Sequence, residues 1–133
     1  MTVVERQLIS SGSPYEPVVG YSRAVRAGDR VFVAGSAPIM PDGADPPADP
    51  YGQAKRCLEI VGAALEQAGS SLADVVRTRV YLTDARHFDG FAQAHGEAFS
   101  DVRPANTTVV VAALLDPRWL LEIEADAVVT ARA

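Results

Sequence analysis

Between residues 120 and 130 the chain alternates with a period of two: Leu121, Ile123, Ala125 and Ala127 are apolar, and Glu122, Glu124 and Asp126 stand between them. Successive side chains on an extended strand point to opposite faces. This segment therefore predicts a strand with one face on an apolar layer and three carboxylates on the other. Such a row can be a solvated surface. Where another sheet packs over it, an acid can instead line a cleft, where partial burial raises a carboxyl toward the range useful for general acid/base chemistry.

The rest of the chain supplies the remaining strands and the apolar layer. Residues 3–9 have strand character and run into a breaker-rich stretch, residues 10–17, containing Gly12, Pro14 and Pro17. Two short apolar runs, residues 21–25 and 31–34, flank Ala27-Gly28-Asp29-Arg30 and predict an antiparallel hairpin. Pro38, Pro41, Pro46, Pro47 and Pro50, interleaved with Asp42, Gly43, Asp45 and Asp49, predict an exposed, mobile loop without regular structure. Residues 51–68 place Ala54, Cys57, Leu58, Val61, Ala64, Leu65 and Ala68 at helical spacing ahead of Gly69, the pattern of an amphipathic helix.

Residues 75–82 alternate again, with Val76, Thr78, Val80 and Leu82 expected inward and Arg77, Arg79 and Tyr81 outward. A second helix is expected from Asp84, its N-cap, with Phe88, Phe91, Ala92, His95, Ala98 and Phe99 on one stripe. Residues 107–115 complete the set, joined to the last strand by a turn at Asp116-Pro117-Arg118. Three strands, a helix, a strand, a helix and two strands predict an α+β two-layer sandwich. Both helices cover one face of a six-stranded mixed sheet. At 133 residues and 48% hydrophobic content the chain suits a single domain, 1–133. The other face of the sheet has no cover from the chain itself, which leaves room for assembly.

Several function classes are disfavoured. One cysteine, Cys57, makes no intrachain disulfide, and two histidines without a cysteine cluster give no zinc pattern, so no metal is expected. The longest apolar run, residues 109–115, falls far short of the roughly 20 needed to cross a bilayer. The first ten residues lack a basic start followed by an apolar core, and a cytoplasmic location is expected. A net charge of −5 with scattered arginines opposes binding to a phosphate backbone.

Four blocks carry a resemblance. They are Gly20-Tyr21-Ser22-Arg23-Ala24-Val25, Val31-Phe32-Val33-Ala34-Gly35-Ser36-Ala37-Pro38, Arg103-Pro104-Ala105-Asn106-Thr107-Thr108 and Leu121-Glu122-Ile123-Glu124-Ala125. In order, spacing and length they resemble the RidA/YjgF/UK114 family. That resemblance implies a chorismate-mutase-like fold and a homotrimer whose three sheets form a central barrel, with small-molecule clefts between neighbouring subunits. It also implies hydrolysis of reactive enamines and imines, such as 2-aminoacrylate, to a keto acid and ammonia, without a cofactor. On the family pattern Glu122 orients or activates the water, Tyr21 lines the cleft and the Gly35 backbone sits beside the ligand. Asn106 and Thr108 take the positions of a carboxylate-binding arginine and a cysteine.

An asparagine brings no charge, and losing a charged partner from a buried carboxylate costs about 2 to 5 kcal/mol. The expectation is a branch lacking that arginine, weak or inactive on 2-aminoacrylate, unless Arg23, Arg103 or Arg118 takes its place. A non-catalytic metabolite-binding trimer is the alternative, and an endoribonuclease a third reading. Of the remaining candidates, His95 and Cys57 are expected to pack in the core or an interface. His87 is expected to be solvated, and Trp119 to pack at a turn.

Overall fold

The computed structural model describes residues 3–130. Among them, six strands and two α-helices follow in the expected order: β1 (Arg6–Ile9), β2 (Ala24–Ala27), β3 (Arg30–Ser36), α1 (Pro50–Gln67), β4 (Val75–Leu82), α2 (Phe88–Phe99), β5 (Ala105–Val110) and β6 (Leu121–Val128). They form one α+β sheet in the order β1-β2-β3-β6-β4-β5. Only β4 and β5 pair in parallel, joined by a crossover through α2. Both helices pack on one face, over a core that includes Val31, Val33, Cys57, Leu65, Val80, Phe91, Leu121 and Ile123.

Local chemistry explains the ends of these elements. The β2–β3 hairpin closes on Gly28-Asp29 alone, with Ala27 opposite Arg30 and Gly28 at φ +63°, a conformation glycine adopts without steric cost. Asp49 caps α1 by accepting from the Gly52 amide at 2.8 Å, with Pro50 at the first helical position. Gly90, which weakens α2 as an isolated helix, lets it approach α1: a Cβ there would lie 3.0 Å from the Tyr51 nitrogen.

Several expectations need correction. β1 begins at Arg6 rather than residue 3, because its partner β2 ends at Ala27, opposite Arg6. β5 spans Ala105–Val110 rather than 107–115. It is an edge strand whose one partner, β4, ends at Leu82, and the Val111 amide closes the ladder on the Leu82 carbonyl. Val76 faces outward, 48% exposed, while Val75 is buried; the register against β6 shifts between Val75 and Arg77, a bulge that reverses the facing of one residue. Asp84 caps a short 3₁₀ turn, Ala85–His87, ahead of α2, and Phe88 lies outside the buried stripe. His87 is buried rather than solvated.

The proline-rich segment is held rather than free. It contains a 3₁₀ turn, Pro41–Gly43. Buried Gln53 of α1 donates to the carbonyls of Pro47 at 2.8 Å and Arg118 at 2.9 Å, and accepts from the Leu120 amide at 2.7 Å. Arg56 donates to the Ile39 carbonyl at 2.7 Å. One buried amide side chain thus joins two loops to the helix, and its own polar atoms are satisfied in doing so.

Candidate functional site

The face away from the helices carries the chemistry. β6 buries Leu121, Ile123, Ala125 and Ala127 and leaves Glu122, Glu124 and Asp126 half-buried on the open side, as its alternation requires. β3 pairs Val33 with Ala125 and Ser36 with Ile123, so Ala34 and Gly35 together oppose Glu124. That bulge brings the bare backbone of Gly35 against Glu122: a Cβ on residue 35 would stand 3.1 Å from Glu122 Oε1. Here the sequence-predicted pair Glu122 and Gly35 meet.

Arg23 closes the same corner. Its backbone amide donates to Ile9 and its carbonyl accepts from Ala34, which fixes the residue at the head of β2. Its Nη2 then donates to the carbonyls of Ala34 and Gly35, each at 2.7 Å. Its Nε is buried with no hydrogen-bond partner. Burial lowers the Arg23 pKa, opposed by the charges of Tyr21, Glu16 and Glu122.

Glu122 accepts no hydrogen bond and forms no ion pair among the described residues. Burial pushes its carboxyl above the ordinary range, the Arg23 charge pulls it down and Glu124 pushes it up again. The two neighbouring acids are engaged instead. Arg79 reaches Glu124 at 3.4 Å and Asp126 at 3.5 Å, and the Tyr81 hydroxyl donates to Glu124, which raises the tyrosine pKa. Of three carboxylates in a row, one is left free.

Next to this corner lies an open cleft of about 970 Å³, walled in part by Glu16, Tyr21, Phe32, Arg79, Glu124 and Asp126. Tyr21 is 39% exposed on its rim. Ser11 holds Glu16 through its hydroxyl at 2.6 Å and its amide at 2.9 Å. Sequence reasoning passed over Arg79, Tyr81 and Glu16. The alternation of residues 75–82 put Arg79 and Tyr81 on the acidic face, and that signal could have found them.

Asn106 and Thr108 lie elsewhere. Asn106 pairs with Thr78 across the parallel β4–β5 ladder, so both point to the helix side. Asn106 Nδ2 donates to Thr78 Oγ1 at 3.0 Å, Thr108 Oγ1 donates to Asn106 Oδ1 at 2.9 Å, and Thr78 Oγ1 lies 2.8 Å from His95 Nε2. Burial lowers the His95 pKa, and its ring packs between Phe91 and Phe99. One chain therefore brings Tyr21, Gly35 and Glu122 to one face and Asn106 and Thr108 to the other.

The other arginines differ in their ties. Arg118 is held by Asp116 at 2.9 Å and Asp45 at 2.8 Å. Arg103 is exposed, with a left-handed backbone at φ +55° where the chain leaves α2. Cys57 is buried, which pushes its thiol well above the ordinary range. No group of three or more His, Cys, Asp or Glu side chains among the described residues could hold a metal ion, and no helix among them is long and apolar enough to cross a membrane.

Comparison with known proteins decides the family. Residues 12–129 match the family model described as Endoribonuclease L-PSP. The chain is similar over its length to a crystal structure from Mycobacterium tuberculosis, Rv2704, a member of the YjgF/YER057c/UK114 family. The TM-score is 0.86 and the identity 45%, over 94% of this chain and 100% of that one. The chain belongs to the YjgF/YER057c/UK114 family. An uncharacterized protein of Streptomyces coelicolor is 39% identical over 127 residues, 96% of this chain and 95% of that one. A RutC family protein of Pyrococcus abyssi is 38% identical over 90% of this chain and 94% of its own. The crystal structure of Escherichia coli TdcF with bound serine matches at TM-score 0.78 and 30% identity, over 98% of this chain and 100% of that one. The sheet and helices described above are those of YjgF-family structures.

Proposed function

We propose that this protein adds water to an activated double bond, an imine or enamine of a small metabolite, with Glu122 taking the proton from the water. The observation that carries the reading is a half-buried carboxylate with a raised pKa and no partner, set against bare backbone at Gly35. A carboxyl raised above its ordinary range by burial and left unpaired is suited to proton transfer. As the water oxygen attacks carbon, the C=N electron pair moves to nitrogen, which is protonated. The resulting carbinolamine loses ammonia and leaves a ketone, so one imine and one water give one ketone and one ammonia.

The working form is a homotrimer with its clefts between subunits, in the cytoplasm. On the open face Leu8 is 63% and Phe32 46% exposed, apolar surface that a second copy would cover. The wall carrying Tyr21, Gly35 and Glu122 would then face Asn106 and Thr108 of a neighbour, which unites residues that a single chain keeps apart. Serine bound to TdcF supports a ligand the size of an amino acid.

At position 106 the amide is already engaged with Thr78 and Thr108 and carries no charge. We place the chain in a branch of the family that is weak on 2-aminoacrylate and prefers substrates not anchored there by a carboxylate. Keto-acid release from enzyme-generated 2-aminoacrylate, set beside ammonia release from imines made from simple amines or amino-acid amides, which carry no carboxylate, tests this directly. The expected result is turnover of neutral imines that Glu122→Gln abolishes while ligand binding persists. Turnover of 2-aminoacrylate at the rate of an arginine-bearing relative would overturn the branch assignment. Binding without turnover in the unaltered protein would favour a metabolite-binding trimer, an outcome that TdcF with its bound serine keeps in view. RNA cleavage is disfavoured by three acids on the open face and by histidines that are buried (His87) or packed against Thr78 (His95).

A further inference from the structure

Two unmet groups meet at Gly35. Glu122 Oε1 comes within 3.1 Å of where its Cβ would be, and Arg23 Nη2 holds its carbonyl at 2.7 Å. Yet the arginine and the carboxylate form no ion pair, because the guanidinium is turned onto the carbonyls of Ala34 and Gly35. Carbonyls exposed by a β-bulge need donors, but a neutral side chain could supply them. An arginine brings a permanent charge into a half-buried position and leaves its own Nε without a partner.

We propose that Arg23 is a positioning residue for Glu122: clamped on the bulge carbonyls, it supplies the fixed positive charge that lets Glu122 stand as an unpaired carboxylate on the open face of the sheet. A direct salt bridge would occupy the oxygen that water needs, and the clamp prevents it. The other groups around Glu122 do not supply this charge. Glu124 on β6 opposes it, Arg79 on β4 is engaged with Glu124 and Asp126, and Tyr81 on β4 and Cys57 on α1 are neutral, with raised pKa values. Tyr21 and Glu16 face the arginine from the chain ahead of β2.

For turnover the inference rests on Glu122 as the water-activating group, but its test needs no substrate. The probe is the Glu122 side-chain carboxyl carbon, followed by NMR against pH in protein labelled at glutamate and assigned with Glu122→Gln. Arg23→Gln should move the Glu122 titration up by about one pH unit, and Arg23→Lys should leave it near the wild-type position. An unchanged titration in a folded Arg23→Gln protein, or an equal rise in Arg23→Lys, overturns the proposal and leaves Arg23 a strap for the bulge. Should Arg23→Gln not fold, the wild-type Arg23 Nε resonance decides. It should shift with the Glu122 titration and lose that response in Glu122→Gln, and a flat response overturns the proposal. If Glu122 follows residue 23 while no imine is turned over, the electrostatic role stands and the proposed reaction falls.

Discussion

Glu122 Oε1 and the bare backbone of Gly35 touch across the β3–β6 pair, 3.1 Å from the point where any side chain on residue 35 would begin. The contact exists because two residues of β3, Ala34 and Gly35, oppose the single Glu124 on β6. Glycine here is required by the neighbour and not by backbone torsion, since its φ lies outside the left-handed region.

Gly35→Ala should therefore separate stability from activity. Removing a glycine from a strand stabilises the fold by up to about 1 kcal/mol through the unfolded chain. The flexible carboxylate must meanwhile yield by a few tenths of an ångström. Thermal unfolding should stay at or above the wild-type midpoint, while imine hydrolysis falls about tenfold or more, because displaced catalytic groups lose rate steeply. Turnover equal to wild type would show that Glu122 works from another position.

The helix-side network predicts a pH dependence of stability. Thr78 is fully buried; its oxygen accepts from Asn106 and lies 2.8 Å from His95 Nε2. Burial lowers the His95 pKa and so favours its neutral ring. A histidine depressed on folding binds fewer protons in the native state than in the unfolded one. Its contribution is complete above the ordinary value of about 6.5 and is lost as pH falls from there through the lower folded value. Urea midpoints should fall between about pH 7 and pH 5 in the wild type and fall less in His95→Gln, whose amide can bond Thr78 in either direction without titrating. Thr78→Val should cost about 1 to 3 kcal/mol at neutral pH by leaving Nε2 unpaired. Parallel acid profiles for wild type and His95→Gln would remove the histidine from the account.

Periodicity made the layers legible, and pairing decided the rest. The alternation of β6 placed every residue from Leu121 to Ala127 on its observed face, and the three-and-four spacing of α1 found its buried apolar positions though not Gln53, because each signal lies within one element. Val76 was misplaced because a bulge is a relation between two strands, and the far end of β5 was misjudged because its partner ends at Leu82. Within the candidate site, resemblance named Glu122 and Gly35, but their contact comes from the bulge at Ala34-Gly35. That Arg23 clamps two carbonyls rather than pairing with an acid was not readable from an arginine at a block edge. Nor does any local pattern tell that Asn106 and Glu122 occupy opposite faces, since this follows from strand order and register.

Assembly can be tested on the open face. Phe32 is 46% exposed and stands opposite Asp126 on β6. A carboxylate introduced there would sit beside an acidic row and, in a trimer, would be forced into a covered interface without a cation of its own. Phe32→Glu should convert the proposed trimer to monomers in sedimentation velocity while circular dichroism remains that of the folded chain. Imine hydrolysis should vanish with assembly if the cleft needs residues of two copies. A monomeric variant with full activity would place the whole site within one chain.

Asn106→Arg asks whether the neutral amide alone limits substrate choice. The substitution breaks the hydrogen bonds to Thr78 and from Thr108, but residue 106 is exposed on an edge strand, so the stability loss should stay near 1 kcal/mol. A charged partner for a buried carboxylate is worth about 2 to 5 kcal/mol, which corresponds to roughly thirty- to several-thousand-fold in rate. Hydrolysis of 2-aminoacrylate should rise within that range, with little change for neutral imines. A rise confined to 2-aminoacrylate would locate the block in the anchor and leave Glu122 as a competent base. No rise in a folded, trimeric variant would mean that the cleft differs in more than its cation, because Glu122, Gly35 and Tyr21 are all still in place.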